Sequence, residues 1–104
     1  MHYVLLASHS PEVCPSSNAK SKAMLLEMGP KIPGIADKNG VKLLAGPFIN
    51  REHLTVVIAE TERAEDLDAF ILEAGLAQWN TVRVLPSHTM DVGMKEMAEG
   101  SSLF

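Results

Sequence analysis

Ten consecutive residues near the start of the chain, His9 to Asn18, hold several side chains that can take part in chemistry. They include His9, the carboxylate of Glu12 and the single cysteine of the chain, Cys14. Imidazole and thiolate groups bind zinc, copper, nickel and iron. A cysteine shortly before a helix is also a candidate nucleophile or peroxide-sensitive thiol, because the helix dipole and its free N–H groups lower a thiol pKa. This segment is therefore the first candidate for a functional site.

Two predicted elements position this loop. Tyr3–Ala7 is apolar at every position, which predicts a β-strand with both faces buried. After the loop, Ser16, Ser17 or Asn18 can cap a helix over Ala19–Met28 by accepting hydrogen bonds from its free N–H groups. Its alanine, methionine and leucine side chains predict one apolar face, opposite a polar face of Lys20, Ser21, Lys22 and Glu27.

The remaining chain predicts a second set of elements. A short helical turn is expected over Ile32–Lys38, and a short link between two β-rich runs predicts a hairpin. Leu67, Phe70, Ile71 and Ala74 follow the helical spacing i, i+3, i+4 and i+7. The strands are expected at Val41–Ile49, Leu54–Glu60 and Asn80–Leu85, the last ended by Pro86, and the helices at Thr61–Gly75 and Met90–Glu99.

The order of these elements predicts the fold class. Strand, helix, strand, strand, helix, strand is the ferredoxin-like βαββαβ order of an α+β protein. It places a four-stranded antiparallel sheet under two helices on one face. Residues 1–89 are expected to form this one domain, and residues 90–104 a tail with a short helix and a frayed end.

The sheet is predicted to be apolar on both faces, although helices are available for one. Leu5 and Val57 are expected on one face. The apolar side chains of the opposite face are Val4, Leu6, Leu54, Val56 and Ile58. This face needs a cover, and the simplest cover is the same sheet of a second copy. We therefore expect a homodimer.

The element order and the doubly apolar strands over Tyr3–Leu85 resemble the dimeric α+β barrel superfamily of ferredoxin-like proteins. Members include antibiotic-biosynthesis monooxygenases, muconolactone-isomerase-like proteins and haem-degrading oxygenases. The resemblance implies a dimeric barrel that binds small molecules between the sheet and the helices or loops. Haem-degrading members use a first-strand asparagine with a tryptophan and a helical histidine. The first strand here has no asparagine, and Trp79 and His88 lie outside the second predicted helix, so the resemblance does not extend to haem degradation.

The predicted topology brings three metal-binding side chains to one end of the sheet. His9 ends the first strand and His53 precedes the third, its expected neighbour, and alternation puts both on the face of Leu5. Cys14 lies in the loop at the same end. The sequence therefore predicts a transition-metal site of His9, Cys14 and His53, with Glu12 as a fourth ligand or a general base.

Each of these residues also has a structural interpretation. A histidine is often a surface residue or hydrogen-bonded, and a cysteine is often buried and inert. Trp79 and Phe48 are candidates to line a ligand pocket, but packing in the core is the favoured expectation for both. Two functions thus remain open: a small enzyme or metalloprotein with reactive residues Cys14 and Glu12, and a non-catalytic module that binds a small ligand or assembles through its apolar barrel.

Composition argues against other classes of partner. The 104 residues are 46% apolar and 21% charged, with a net charge of −4. The positive charges are scattered, so neither nucleic acid nor an anionic membrane is expected as a partner. A single cysteine cannot form an internal disulfide, and the first residues lack a signal-peptide pattern, so we expect a cytoplasmic protein.

Overall fold

A computed structural model describes residues 1–100 of the chain. The strands are β1 (His2–Ser8), β2 (Lys42–Phe48), β3 (Leu54–Glu60) and β4 (Thr81–Ser87). The α-helices are α1 (Ala19–Met28), α2 (Ile32–Lys38), α3 (Ala64–Glu73) and α4 (Met90–Ala98), with 3-10 turns at Pro11–Val13, Gly29–Lys31 and Leu76–Gln78. The division into a domain and a tail stays a prediction, and the end predicted to fray lies, from residue 101 onward, outside the described residues.

The strands form one sheet in the order β2-β3-β1-β4, and each strand is antiparallel to its neighbours. The predicted α+β class and four-stranded antiparallel sheet are therefore confirmed, and the arrangement is compatible with a ferredoxin-like fold. Because β1 lies between β3 and β4, the residue that follows β1 has neighbours from both of them. None of the helices within residues 1–100 has the length and apolar character needed to cross a bilayer.

The core lies between one face of the sheet and the helices. From the sheet it takes Tyr3, Leu5, Val57 and Ala59, which are at most 7% exposed. From the helices it takes Ala36, Leu67, Phe70, Ile71 and Ala74. Full burial of one large apolar side chain stabilises the fold by about 1.5–3 kcal/mol, so this layer holds β1 and β3 firmly in register. The ends of these strands are the fixed points from which the candidate site is built.

The opposite face of the sheet is less buried than the face that forms the core. Alternate residues Val4 and Leu6 of β1 and Val56 and Ile58 of β3 are half-buried there. Pairing of two such faces in a dimer remains a prediction.

Helix α1 differs from its predicted orientation. Its supposedly polar Ser21 is buried, whereas Leu26, assigned to the apolar face, is 67% exposed. Met24 and Met28 are half-buried, and Leu25 is 38% exposed. Apolar residues occupy four consecutive positions from 23 to 26, which spreads them around the helix, so periodicity alone does not define its buried face.

The two edge strands carry the prolines of the sheet. β4 continues through Pro86 to Ser87. The sequence predicted that Pro86 would end this strand. An edge strand tolerates proline because one row of its N–H groups has no partner strand. In β2, the predicted irregularity at Gly46 and Pro47 is confirmed by register shifts on both sides of Ala45. Gly46 has φ +87°, and a Cβ there would lie 2.5 Å from the carbonyl oxygen of Val56.

Candidate metal centre

His9, Cys14 and His53 lie together at one end of the sheet. One potential ligand atom from each, a ring nitrogen or the sulfur, lies within 4.8 Å of the others. The backbone N–H of His9 donates to the carbonyl oxygen of His53 at 3.1 Å, which extends the β1–β3 ladder by one step. The predicted approach of these two histidines is therefore confirmed. Their rings meet edge to face, with centroids 5.4 Å apart.

The ring of His9 is oriented by Asn80, which directly precedes β4. Nδ2 of Asn80 donates to the carbonyl oxygen of Leu76 at 3.1 Å, so its Oδ1 is the atom that faces His9. The distance from Nδ1 of His9 to this oxygen is 3.0 Å. An amide oxygen can only accept, so Nδ1 carries the proton. In the neutral ring, the lone pair available for a metal is therefore on Nε2.

Nε2 of His9 is buried and has no hydrogen-bond partner. A buried polar atom without a partner normally costs about 1–3 kcal/mol, so such atoms are uncommon and require an explanation. Trp79 leans over the same ring, with centroids 5.1 Å apart. The imidazole is thus fixed on one edge by Asn80 and on one side by an indole, and its free lone pair lies within the cluster.

His53 has a left-handed backbone, with φ +56°. Outside glycine this conformation costs about 1–2 kcal/mol, although histidine adopts it more readily than most residues. Asn50 holds the preceding turn: its Oδ1 accepts from the N–H of Glu52 at 3.0 Å, and its Nδ2 donates to the carbonyl oxygen of Leu54 at 2.7 Å. A strained histidine held by its loop is typical of functional sites.

Cys14 is a free, half-buried cysteine in the loop before α1. Hydrogen bonds from the side chain and backbone of Ser16 lower the pKa of its thiol from 9.0 to about 6, with smaller contributions from His9 and His53. The distance from Sγ to Oγ of Ser16 is 3.0 Å. At neutral pH the group is therefore a thiolate, the form that binds metals and attacks electrophiles.

The loop that carries Cys14 is fastened to the start of α1. Oδ1 of Asn18 accepts from the N–H of Ser21 at 3.0 Å, which confirms Asn18 as the helix cap. Its Nδ2 donates to the carbonyl oxygen of Glu12, also at 3.0 Å. One side chain thus fixes both the helix start and the turn that precedes Cys14.

Glu12 is not in the group of ligand atoms that lie within 4.8 Å of one another. It is exposed on the 3-10 turn Pro11–Val13. The apolar walls on which its predicted role as a general base depends are missing at this position. Its role as a fourth ligand or a base stays a prediction, with no support from the geometry.

The spacing of the cluster suits a metal ion after a small adjustment. Bonds of about 2.0–2.3 Å in a tetrahedral site separate the ligand atoms by roughly 3.3–3.8 Å. The observed limit of 4.8 Å exceeds this by about 1–1.5 Å, a distance that rotation about side-chain bonds can close. Two imidazoles and one thiolate would leave a fourth position open.

Two cavities meet beside the cluster. One lies between the sheet and the helices, and the other lies at the end of the sheet and includes His9, Cys14 and His53. Trp79, expected in the core, is half-buried and lines both cavities. Phe48, also expected in the core, is 57% exposed, because the irregular edge strand β2 turns it away from the helices.

Two histidines lie away from the site, as predicted. His2 begins β1 and His88 follows β4, and the two strands are antiparallel, so both are at the opposite end of the sheet. Nε2 of His2 is 3.4 Å from a carboxylate oxygen of Glu60. His2 therefore serves as a control position for substitutions of the histidines in the cluster.

Sequence reasoning missed three residues that support the site: Asn80, Ser16 and Asn50. A signal for Asn80 was present, because it directly precedes a strand that pairs with β1, and the register Ser8↔Thr81 places it beside His9. The contacts of Ser16 and Asn50 depend on local turn geometry that the sequence leaves open. No family model, curated protein or solved structure matches this chain.

Proposed function

We propose that the protein binds a transition-metal ion through Nε2 of His9, Sγ of Cys14 and a ring nitrogen of His53. The observation that carries the proposal is the buried Nε2 of His9, which has no hydrogen-bond partner. One nitrogen of the same ring lies within 4.8 Å of a potential ligand atom of Cys14 and of His53. A bound cation would satisfy this lone pair.

The donor set also defines the class of metal. Thiolate and imidazole together favour zinc, copper, nickel or iron over magnesium or calcium, which prefer oxygen ligands. Protonation of a ligand normally competes with metal binding. Because the Cys14 pKa is about 6, this competition is small at neutral pH. Three protein ligands with an open position are typical of reactive metal sites and not of purely structural ones.

A second proposed role belongs to the metal-free site. Cys14, as a thiolate at neutral pH, is available as a nucleophile or as a peroxide-sensitive thiol. The two roles exclude each other at any moment, because a coordinated sulfur has its reactive lone pair engaged. Metal binding would therefore protect Cys14 from alkylation, and the extent of protection measures occupancy.

Cobalt(II) tests the metal site because a cobalt–thiolate bond gives an intense charge-transfer absorption. We expect the protein, purified without a histidine tag, to bind one cobalt ion with this absorption. Cys14→Ser should abolish the band, and His9→Gln should weaken binding. His2→Gln, at the opposite end of the sheet, is the matched control and should bind as the natural protein does. Identical, negligible binding by all four proteins would refute the proposal.

The less buried face of the sheet supports an additional proposal, that two copies associate through it. The half-buried side chains Val4, Leu6, Val56 and Ile58 supply the apolar surface that such an interface requires. This proposal concerns assembly and is independent of the metal site.

A further inference from the structure

The two cavities beside the metal-binding cluster are neighbours, because four residues line both of them. The inner cavity, of about 110 Å³, is lined by core residues such as Leu5 and Phe70. The outer one, of about 330 Å³, includes His9, Cys14 and His53. Both are lined by Leu25, Ile49, Thr55 and Trp79.

The inner cavity is apolar. No charged residue lines it, and its polar groups are those of Thr55, Asn80 and the indole of Trp79. Leu25 is 38% exposed, because α1 does not turn an apolar face fully onto the sheet. Apolar walls favour a small apolar ligand, and an apolar cavity of about 150 Å³ is known to accept benzene.

We propose that the protein binds a small, uncharged apolar molecule whose one sulfur or nitrogen donor atom takes the open position of the metal. The apolar body, about the size of one aromatic ring, occupies the inner cavity, and the donor atom lies in the outer one. This inference rests on the proposed metal site. The chemistry of the lining excludes a charged body, since a charge in this cavity would have no partner.

The contacts of Asn80 and Trp79 link the two halves of the ligand site. Asn80 lines the inner cavity and also holds the ring of His9 through its Oδ1. The ring of Trp79 packs against the ring of His9, and Trp79 lines both cavities. A ligand in the inner cavity would therefore contact the groups that orient a metal ligand.

Two thiols with the same donor atom test the proposal on cobalt-loaded protein: benzyl mercaptan, which carries a ring, and 2-mercaptoethanol, which carries a hydroxyl. Because transfer of the ring from water to an apolar cavity is favourable, benzyl mercaptan should change the cobalt spectrum at a concentration at least about tenfold lower. Equal affinities of the two thiols would overturn the proposal.

A second arm separates the cavity from the metal. Toluene has the ring and no donor atom, so it should bind metal-free protein and change the fluorescence of Trp79, the single tryptophan. Absence of cobalt binding would refute the metal site, whatever toluene does. Normal cobalt binding without a saturable response to toluene would refute the ligand cavity alone.

Ala7→Leu tests the location of the ligand. Ala7 lines the inner cavity and lies on β1, two residues before His9. A larger side chain there should remove the preference for benzyl mercaptan and leave cobalt binding intact. Val4→Leu, on the opposite face of β1, is the control and should keep the preference. If Ala7→Leu does not fold, Val82→Leu on β4 obstructs the same cavity. An unchanged preference in a folded obstructing variant would contradict the location.

Discussion

Different interactions set the ionisation of Cys14 and the backbone conformation of His53. Hydrogen bonds from Ser16 stabilise the charge of the Cys14 thiolate, whereas the loop around Asn50 holds the His53 backbone in a left-handed conformation. The residue types and their shared end of the sheet were predictable from strand order and alternation. The bond between Asn80 and His9 joins residues 71 positions apart, and no local sequence pattern encodes such a contact.

The ionisation of Cys14 gives the first prediction. In metal-free protein, the rate of alkylation by iodoacetamide should rise with pH around a midpoint of about 6. Ser16→Ala removes the largest cause of the lowered pKa, so its midpoint should move toward 9.0. Ser17→Ala is the control, because that hydroxyl donates to the carbonyl oxygen of Pro11 at 2.7 Å. A midpoint near 9.0 in the natural protein would contradict the thiolate.

The same shift affects stability with a defined sign. The folded-state pKa of Cys14 lies below its ordinary value, so between about pH 6 and 9.0 the unfolded chain binds one more proton than the folded chain. The contribution to stability is complete above this range and lost as the pH falls through about 6. The difference in free energy of unfolding between the natural protein and Cys14→Ser should therefore increase with pH across this range.

His53 gives the second prediction. His53→Gly and His53→Ala both remove the imidazole, and both should weaken metal binding strongly. Because glycine adopts φ +56° without steric strain, the glycine variant should be more stable than the alanine variant by about 1 kcal/mol. Denaturant unfolding of the metal-free proteins measures the difference. Equal stability would show that the strain is absent.

At the scale of elements, the junction between the loop and α1 controls the position of Cys14. The sequence predicted the start of α1 correctly because Asn18 is a strong helix-capping residue. It did not predict the buried face of α1, because apolar side chains surround the helix at positions 23 to 26. The cavity beneath α1 follows from this packing and was not predictable either.

Asn18 gives the third prediction, since its two side-chain atoms have separable roles. Asn18→Asp keeps the acceptor for the N–H of Ser21 and loses the donor to the carbonyl oxygen of Glu12. We expect its free energy of unfolding to stay near that of the natural protein, with metal affinity about tenfold lower. Asn18→Ala should lose about 1 kcal/mol of stability in addition. Unchanged metal affinity in Asn18→Asp would show that the Glu12 contact does not position Cys14.

At the scale of the whole molecule, the order and class of the strands were predictable because strong apolar runs and turn residues mark them. The observed sheet order is compatible with ferredoxin-like connectivity. The second apolar face was also read correctly as apolar. The sequence of one chain indicates that this apolar face needs a partner surface. It does not identify that partner.

Assembly gives the fourth prediction. We expect a dimer in sedimentation analysis, and Leu6→Glu should give a monomer, because it would place an unpaired charge in the centre of the proposed interface. Ala69→Glu adds the same charge on the exposed side of α3 and should leave the dimer intact. A natural protein that is monomeric at high concentration would contradict the association of the two sheets.

The most direct test of the metal site is X-ray absorption spectroscopy of the zinc-loaded protein. The account predicts one sulfur neighbour at about 2.3 Å and two imidazole nitrogens at about 2.0–2.1 Å, with a fourth light atom from solvent. Cys14→Ser should lose the sulfur neighbour and keep the nitrogens. A natural protein whose zinc has oxygen neighbours alone, with no sulfur and no imidazole, would contradict the account.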